Sequence, residues 1–311
     1  MFEGLPGALA LANLVLIHLG IALVLGSLAC DAWLRDARSA WGDRAVRPST
    51  AARRAALVLI LVALPCAIWL QAAVVTEVPL LEAGPAALTL MRQTRYGHVA
   101  LAGVAAGPIL AATGWPRAIT RARRAWLGLA LVVLLWSRGA VSHAGALGAL
   151  TADVAIDMLH LGATSLWVGM VLIAVAQRLP APGAPAPDRL DAARWVAALS
   201  STATATLAVV VLTGAFKTWR SAPTIAALSG SDFGRTLGIK VALVAVAVAL
   251  GGFNRYRVLP GLLRNLRAVE SPDGSSNGRH VLKRVLRLEA FVLVLVSIAA
   301  AILSGSEPPR A

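Results

Sequence analysis

Long apolar runs dominate the chain, and short polar segments rich in arginine separate them. Eight runs approach the roughly 20 residues that a helix needs to cross a membrane. They lie near residues 8–30, 55–76, 97–113, 125–141, 154–177, 199–218, 236–253 and 286–304. The runs are continuously apolar rather than alternating, which excludes a transmembrane barrel. The pattern predicts an all-α polytopic membrane helix bundle of about eight transmembrane helices.

Arginine is concentrated in alternate loops. The segments after the first, third, fifth and seventh runs carry the basic residues, at 35–54, 117–124, 178–194 and 255–287. The loop after the second run instead carries Glu77 and Glu82. By the positive-inside rule the arginine-rich loops are cytoplasmic, so we expect both termini in the periplasm of a bacterium. We also expect a flexible connector at 271–278.

Composition agrees with a single integral membrane domain over 1–311, with spans one to four in 1–141 and spans five to eight in 142–311. The chain is 58% hydrophobic and 14% charged, with a net charge of +14. The cytoplasmic loops account for that excess, and modules that combine basic and aromatic residues are missing, so we expect no nucleic-acid partner. The sequence lacks the HExxH motif of metalloproteases, the GxSxG motif of serine hydrolases and the nucleotide-binding P-loop. We therefore expect that the protein is not an enzyme and that ATP does not drive its function.

One polar stripe stands out in the fifth run. On a helix, positions 153, 157, 160, 164 and 167 share a face, and they read Asp, Asp, His, Thr and Trp. Carboxylate and imidazole groups inside a membrane are costly unless they have a partner or a function. Asp157 and His160 are therefore the first candidate site residues.

Other candidate ligands lie in the expected outer half of the membrane. Imidazole and thioether groups suit copper, and a carboxylate can complete a Cu(II) site. We expect an outer metal site from His98, His143, Asp157, His160 and Met91, with Met158 nearby. His18 and Cys66, both about 15 Å deep by helical rise, are expected to form a second station.

Each candidate also has a structural interpretation. Asp157 and His160 could tie helices together, and Cys66 could be a small core residue. Arg138 and Lys240 lie near the outer ends of their spans and could extend to the interface, or Lys240 could pair with Asp157. Glu289 is expected to pair with Arg255 or Arg287, either as a structural group or as an exit gate.

Short motifs after residue 140 follow a specific order. They are Ser142-His143-Ala144, Asp157 with His160, Leu166-Trp167 with Gly169, Thr213-Gly214 with Trp219, Phe233-Gly234-Arg235 with Lys240, Asn254-Arg255-Tyr256, and Glu289. In this order and spacing the chain resembles the copper resistance protein D (CopD) family of bacterial inner-membrane proteins. The resemblance in motifs covers about 190–309 and 140–178. Over the first four spans, only the topology is similar.

The resemblance implies a multi-pass inner-membrane protein that moves copper ions, with import into the cytoplasm as the expected direction. It implies functional roles for His143, Asp157, His160, Lys240 and Glu289, and a periplasmic CopC-like copper-binding partner. Two alternatives remain: a membrane factor that hands copper over without transport, and a b-type haem electron-transfer protein.

Overall fold

The computed structural model describes residues 4–181, 183–221, 231–268 and 275–306, and these residues form helices without a strand. Residues 271–274 of the expected connector at 271–278, residues 1–3 and residues 307–311 lie outside them. The helices are α1 Gly4–Trp33, α2 Ala40–Thr76, α3 Gly84–Gln93, α4 Arg95–Gly114, α5 Arg121–Ala140, α6 Ala152–Ala176, α7 Ala186–Ser221, α8 Asp232–Phe253, α9 Leu259–Arg267 and α10 Ser275–Ser304. A π-helical turn, Asn254–Val258, joins α8 to α9.

Hydroxyl side chains start most of the long helices. The caps at Ser39, Thr94, Thr120, Thr151 and Ser231 each accept a hydrogen bond from a backbone N–H of the first helical turn. Such a cap satisfies one of the N–H groups that a helix start leaves without a partner. Local sequence thus sets these helix starts.

Seven of the described helices are long and apolar enough to cross a membrane, which confirms the polytopic helix bundle. The remaining predicted span corresponds to α5, which has four arginines in its 20 residues. It packs antiparallel to the 20-residue α4, because Gly103 faces Ser137 while Gly114 faces Leu127. Helix α5 therefore extends as far as α4, and it stays a predicted span.

The loops lie at two ends of the bundle. The Arg117 end comprises residues 34–39, 115–120 and 177–185, and the His143 end comprises residues 77–94 and 141–151. At the Arg117 end, the buried Arg53 pairs with Asp31 and donates to the carbonyl oxygens of Gly114 at 2.7 Å and Pro116 at 3.1 Å. This arginine ties α1, α2 and the loop after α4 together.

Helix α1 packs against both α2 and α6. Its contact with α6 is made by backbone, because a Cβ on Gly169 would lie 1.7 Å from the carbonyl oxygen of Ala22. A Cβ on Gly26 would lie 2.2 Å from the carbonyl carbon of Gly169. Small residues allow this approach, which is typical of membrane helices. It fixes α6, and its polar stripe, against the centre of the bundle.

Candidate functional site

The polar stripe of α6 faces α7 at the His143 end. Asp153, in the first turn of α6, accepts two hydrogen bonds from the Arg220 guanidinium, at 3.1 and 3.3 Å. The next stripe residue, Asp157, is buried and forms an ion pair with Lys217. Its other carboxylate oxygen accepts a hydrogen bond from Ser142 Oγ at 3.2 Å. Both acidic residues of the stripe are thus matched by basic residues of α7.

His160 continues the same interface one turn deeper. Its Nδ1 lies 2.8 Å from Thr213 Oγ1, and Thr213 donates in turn to the carbonyl oxygen of Val209 at 2.6 Å. A Cβ on Gly214 would lie 3.4 Å from Cε1 of the imidazole. The Thr213-Gly214 pair therefore supplies a hydrogen-bond partner and a flat surface for the ring.

His18 of α1 lies deeper than His160. Gly169 is held between Ala22 and Gly26, and α1 runs parallel to α6, so this register puts His18 level with Thr164. The Thr164 hydroxyl is buried and has no hydrogen-bond partner among the described residues. His18 and Thr164 thus add two polar groups below His160.

The stripe ends at Trp167, which donates its indole N–H to Glu289 Oε1 of α10 at 3.3 Å. Both residues are buried, and a Cβ on Gly251 of α8 would lie 3.4 Å from the same carboxylate oxygen. The expected pairing of Glu289 with Arg255 or Arg287 is wrong. Arg255 instead donates to the Ser200 hydroxyl at 2.8 Å, because the π-helical turn directs it toward α7.

Two further cations face this region from α5 and α8. Lys240 shares a helix face with Phe233, Ala247 and Gly251, the face that packs into the bundle. Arg138 Nε is buried without a hydrogen-bond partner in the described part of the chain. The Asp157 carboxylate acts electrostatically on both cations, but its ion-pair partner is Lys217 and not Lys240.

The predicted rim residues lie at the His143 end without joining Asp157 directly. His98 is exposed, and its Nε2 lies 3.2 Å from the carbonyl oxygen of Arg92. Met91 lies in α3 and its Cα abuts Gly97. His143 is exposed in a short 3₁₀ turn, next to Ser142, which reaches Asp157. Met158 packs against Val99, Ala140 and Val154, in agreement with a packing role.

Cys66 is not brought to His18. Helices α1 and α2 pack antiparallel, with Asn13 Nδ2 donating to the carbonyl oxygen of Ala63 and Gly20 facing Ile60. This register puts Cys66 level with residues 10–14, about 6–12 Å along the axis from His18. The thiol-bearing residue is also exposed on the outside of the bundle. The expected second station of His18 with Cys66 does not form.

The described residues contain no group of three or more His, Cys, Asp or Glu side chains that could hold a metal ion. What the structure has instead is a series of polar groups at successive depths along α6, with one or two possible ligands at each level. Such a series fits transient contacts with an ion better than a resident metal centre.

A haem between α1 and α6 does not fit the described geometry. Paired axial histidines need to lie at matched depth on helices far enough apart to hold the macrocycle. His18 and His160 lie at different depths, and their helices touch through backbone at Gly26 and Gly169.

Lys217, Thr213 and Arg220 were not predicted from the sequence. The spacing of Thr213, Lys217 and Arg220 is four and three residues, as is that of Asp153, Asp157 and His160. Two such stripes with opposite charges on consecutive antiparallel spans could have indicated the pairing.

Comparison with known families identifies the second half of the chain. Residues 193–303 match the family model described as copper resistance protein D (CopD). This match covers about a third of the chain and supports an assignment to the CopD family. No curated protein and no solved structure was found to match the chain. The CopD region contains Thr213, Lys217, Lys240 and Glu289, which surround the α6 stripe, whereas α6 itself precedes the matched residues.

Proposed function

We propose that this protein moves copper ions across the bacterial inner membrane, from the periplasm to the cytoplasm, and so contributes to copper homeostasis and resistance. Copper would pass along α6, by way of Asp157, His160, His18 and Glu289. The observation that carries this proposal is the α6 stripe, because its polar groups continue from the His143 end to the buried Trp167–Glu289 pair.

The chemistry of the stripe supports a soft cation as cargo. Imidazole binds both oxidation states of copper, and carboxylates at either end of the series can neutralise part of its charge. Each level offers few ligands, which favours release over trapping. CopD-family membership supports copper over other metals.

The direction rests on charge. Arginine is concentrated at the Arg117 end, which supports placing that end in the cytoplasm and the His143 end in the periplasm. The membrane potential then favours inward movement of a cation by about 2.3 kcal/mol per charge per 100 mV. The exposed His98 and His143 would meet copper first, delivered by a CopC-like periplasmic protein.

The cations beside the stripe oppose a bare copper ion. Two unit charges 8 Å apart repel by about 2 kcal/mol at an effective dielectric constant of 20. Arg138, Lys217 and Lys240 outnumber Asp157 here, so transport requires either that Lys217 releases Asp157 or that other negative charge is present.

Purified protein in vesicles that contain a copper-sensitive dye tests the proposal. We expect copper to enter, and we expect His160→Ala to lower the initial rate at least about tenfold because it removes the central ligand. His280→Ala, which replaces an exposed histidine in the first turns of α10 outside the proposed path, is the matched control and should retain most of the rate. Uptake by His160→Ala equal to that of the wild type would refute this pathway.

The same vesicles separate transport from handover. A handover factor would bind copper at the His143 end and would leave the vesicle interior empty. Copper binding without filling, in wild-type protein of the correct orientation, would replace our proposal by that alternative.

A further inference from the structure

Three cations lie near a single carboxylate in the His143 half of the bundle. Arg138, Lys217 and Lys240 come from α5, α7 and α8, and Asp157 is the carboxylate that acts on Arg138 and Lys240. The carboxylate already forms an ion pair with Lys217. With the imidazoles of His18 and His160 uncharged, these three cations and one carboxylate have a net charge of about +2. That charge lies within the membrane-spanning region, where unpaired charge is costly.

Two carboxylates close to this group have partners of their own. Asp153 is held by Arg220, and Asp232 pairs with Arg235 on its own helix. Glu77 and Glu82, in the loop after α2, are exposed and form no ion pair with the three cations. The ion pairs among the described residues therefore give this group no carboxylate besides Asp157.

Two of the three cations have no counter-ion of their own. Arg138 Nε is buried and has no hydrogen-bond partner among the described residues, and neither Arg138 nor Lys240 forms an ion pair with any of them. Arg138 precedes Gly139, at which a Cβ would lie 3.6 Å from Asp157 Oδ2. The Lys217 side chain is 39% exposed and lies in the last turn but one of α7, three residues before Arg220.

We propose that Arg138, Lys217 and Lys240 bind a doubly charged oxyanion within the membrane, beside the α6 stripe. A guanidinium and two ammonium groups offer charge-assisted hydrogen bonds that suit a phosphate or sulfate group. Such a dianion would bring the local charge close to zero. It would also remove the repulsion that a copper ion meets at His160, although anion binding does not depend on copper transport.

Titration of the purified protein with sulfate tests the site. In a neutral detergent, with ionic strength held constant by sodium chloride, we expect saturable sulfate binding by isothermal calorimetry. Lys240→Gln should weaken it at least about tenfold, because one charge-assisted hydrogen bond is lost. Arg235→Gln is the matched control, since it removes an exposed charge at the same end, and it should change affinity less than about twofold.

Two further arms complete the experiment. Lys240→Arg keeps the charge and should bind sulfate within a few-fold of the wild type, which separates charge from folding defects. In nanodiscs, competition by phosphatidic acid, whose phosphate monoester can carry two negative charges, but not by phosphatidylcholine would identify a lipid phosphate as the occupant, and no competition would identify a soluble oxyanion.

The absence of saturable sulfate binding by the wild type would overturn the proposal. So would an equal loss of affinity in Arg235→Gln and Lys240→Gln. Neither result depends on copper uptake, which the His160→Ala measurement tests separately.

Discussion

Gly169 controls how closely α6 approaches α1, and Gly169→Ala is the perturbation that tests this contact. The added Cβ would lie 1.7 Å from the carbonyl oxygen of Ala22, whereas ordinary contact begins at 3.4 Å. Because the neighbour is backbone, the two helices must separate by about 1.7 Å. Even a gap of about 0.5–1 Å forfeits a quarter to a half of each dispersion contact.

The loss of dispersion contacts between α1 and α6 affects well-packed residues. Trp167, Val168 and Met170 are buried in the cluster that includes Ala22. We expect overpacking at this site to cost about 1–3 kcal/mol, partly offset by up to about 1 kcal/mol from the better helix propensity of alanine. The expected net effect is a decrease of several degrees in the thermal midpoint.

Thermal unfolding in detergent, followed by tryptophan fluorescence, measures this change. Gly128→Ala in α5 is the matched control, because a Cβ there meets nothing within 4 Å and should leave stability unchanged or slightly raised. If Gly169→Ala were as stable as Gly128→Ala, the backbone contact between α1 and α6 would be incorrect, together with the register that puts His18 level with Thr164.

Two further predictions concern charged groups. Arg53→Met should destabilise the protein by about 3–5 kcal/mol, because it removes a fully buried partner of a carboxylate and two carbonyl groups; a change below 1 kcal/mol in thermal or denaturant unfolding would contradict this role. A double-mutant cycle of Asp157→Asn and Lys217→Gln should give a stability coupling of about 1–2 kcal/mol, reduced from that of a buried pair because the lysine side chain is 39% exposed. The same cycle on Asp153 and Arg220 should give a smaller coupling, since the Arg220 side chain is 51% exposed, and equal couplings would count against a special role for Asp157.

The apolar runs predicted the helices, but they underestimated three of them. Helix α2 begins at Ala40, α7 at Ala186 and α10 at Ser275, well before the predicted starts at residues 55, 199 and 286. The polar extensions of α2 and α7 are held by each other. Asp188 of α7 accepts a hydrogen bond from the backbone N–H of Trp41 at 2.9 Å, in the first turn of α2. Hydropathy cannot detect this contact, because it depends on a residue far away in the chain.

Candidate ligands were predicted by residue type and depth, and their grouping required the structure. Depth estimated from the rise per residue predicted similar depths for His18 and Cys66, but the register of α1 against α2 puts them at different levels. Whether two residues meet depends also on rotation and register, and Cys66 lies on the outer surface of α2. Lys217 is the opposite case, a residue that was not predicted and that the structure brings to the site. Its pairing with Asp157 needs the antiparallel register of α6 and α7.

The sequence alone determined that the chain is a helical membrane protein, that Asp153, Asp157, His160, Thr164 and Trp167 share one face, and that residues 193–303 are similar to the CopD family. These properties depend on composition, motif order and the 3.6-residue period. Only the tertiary structure decided what that face meets: Lys217, Thr213 and Glu289. The physical reason is that a helix face is a local property, whereas its partners depend on how distant helices pack at backbone contacts such as Gly26 with Gly169.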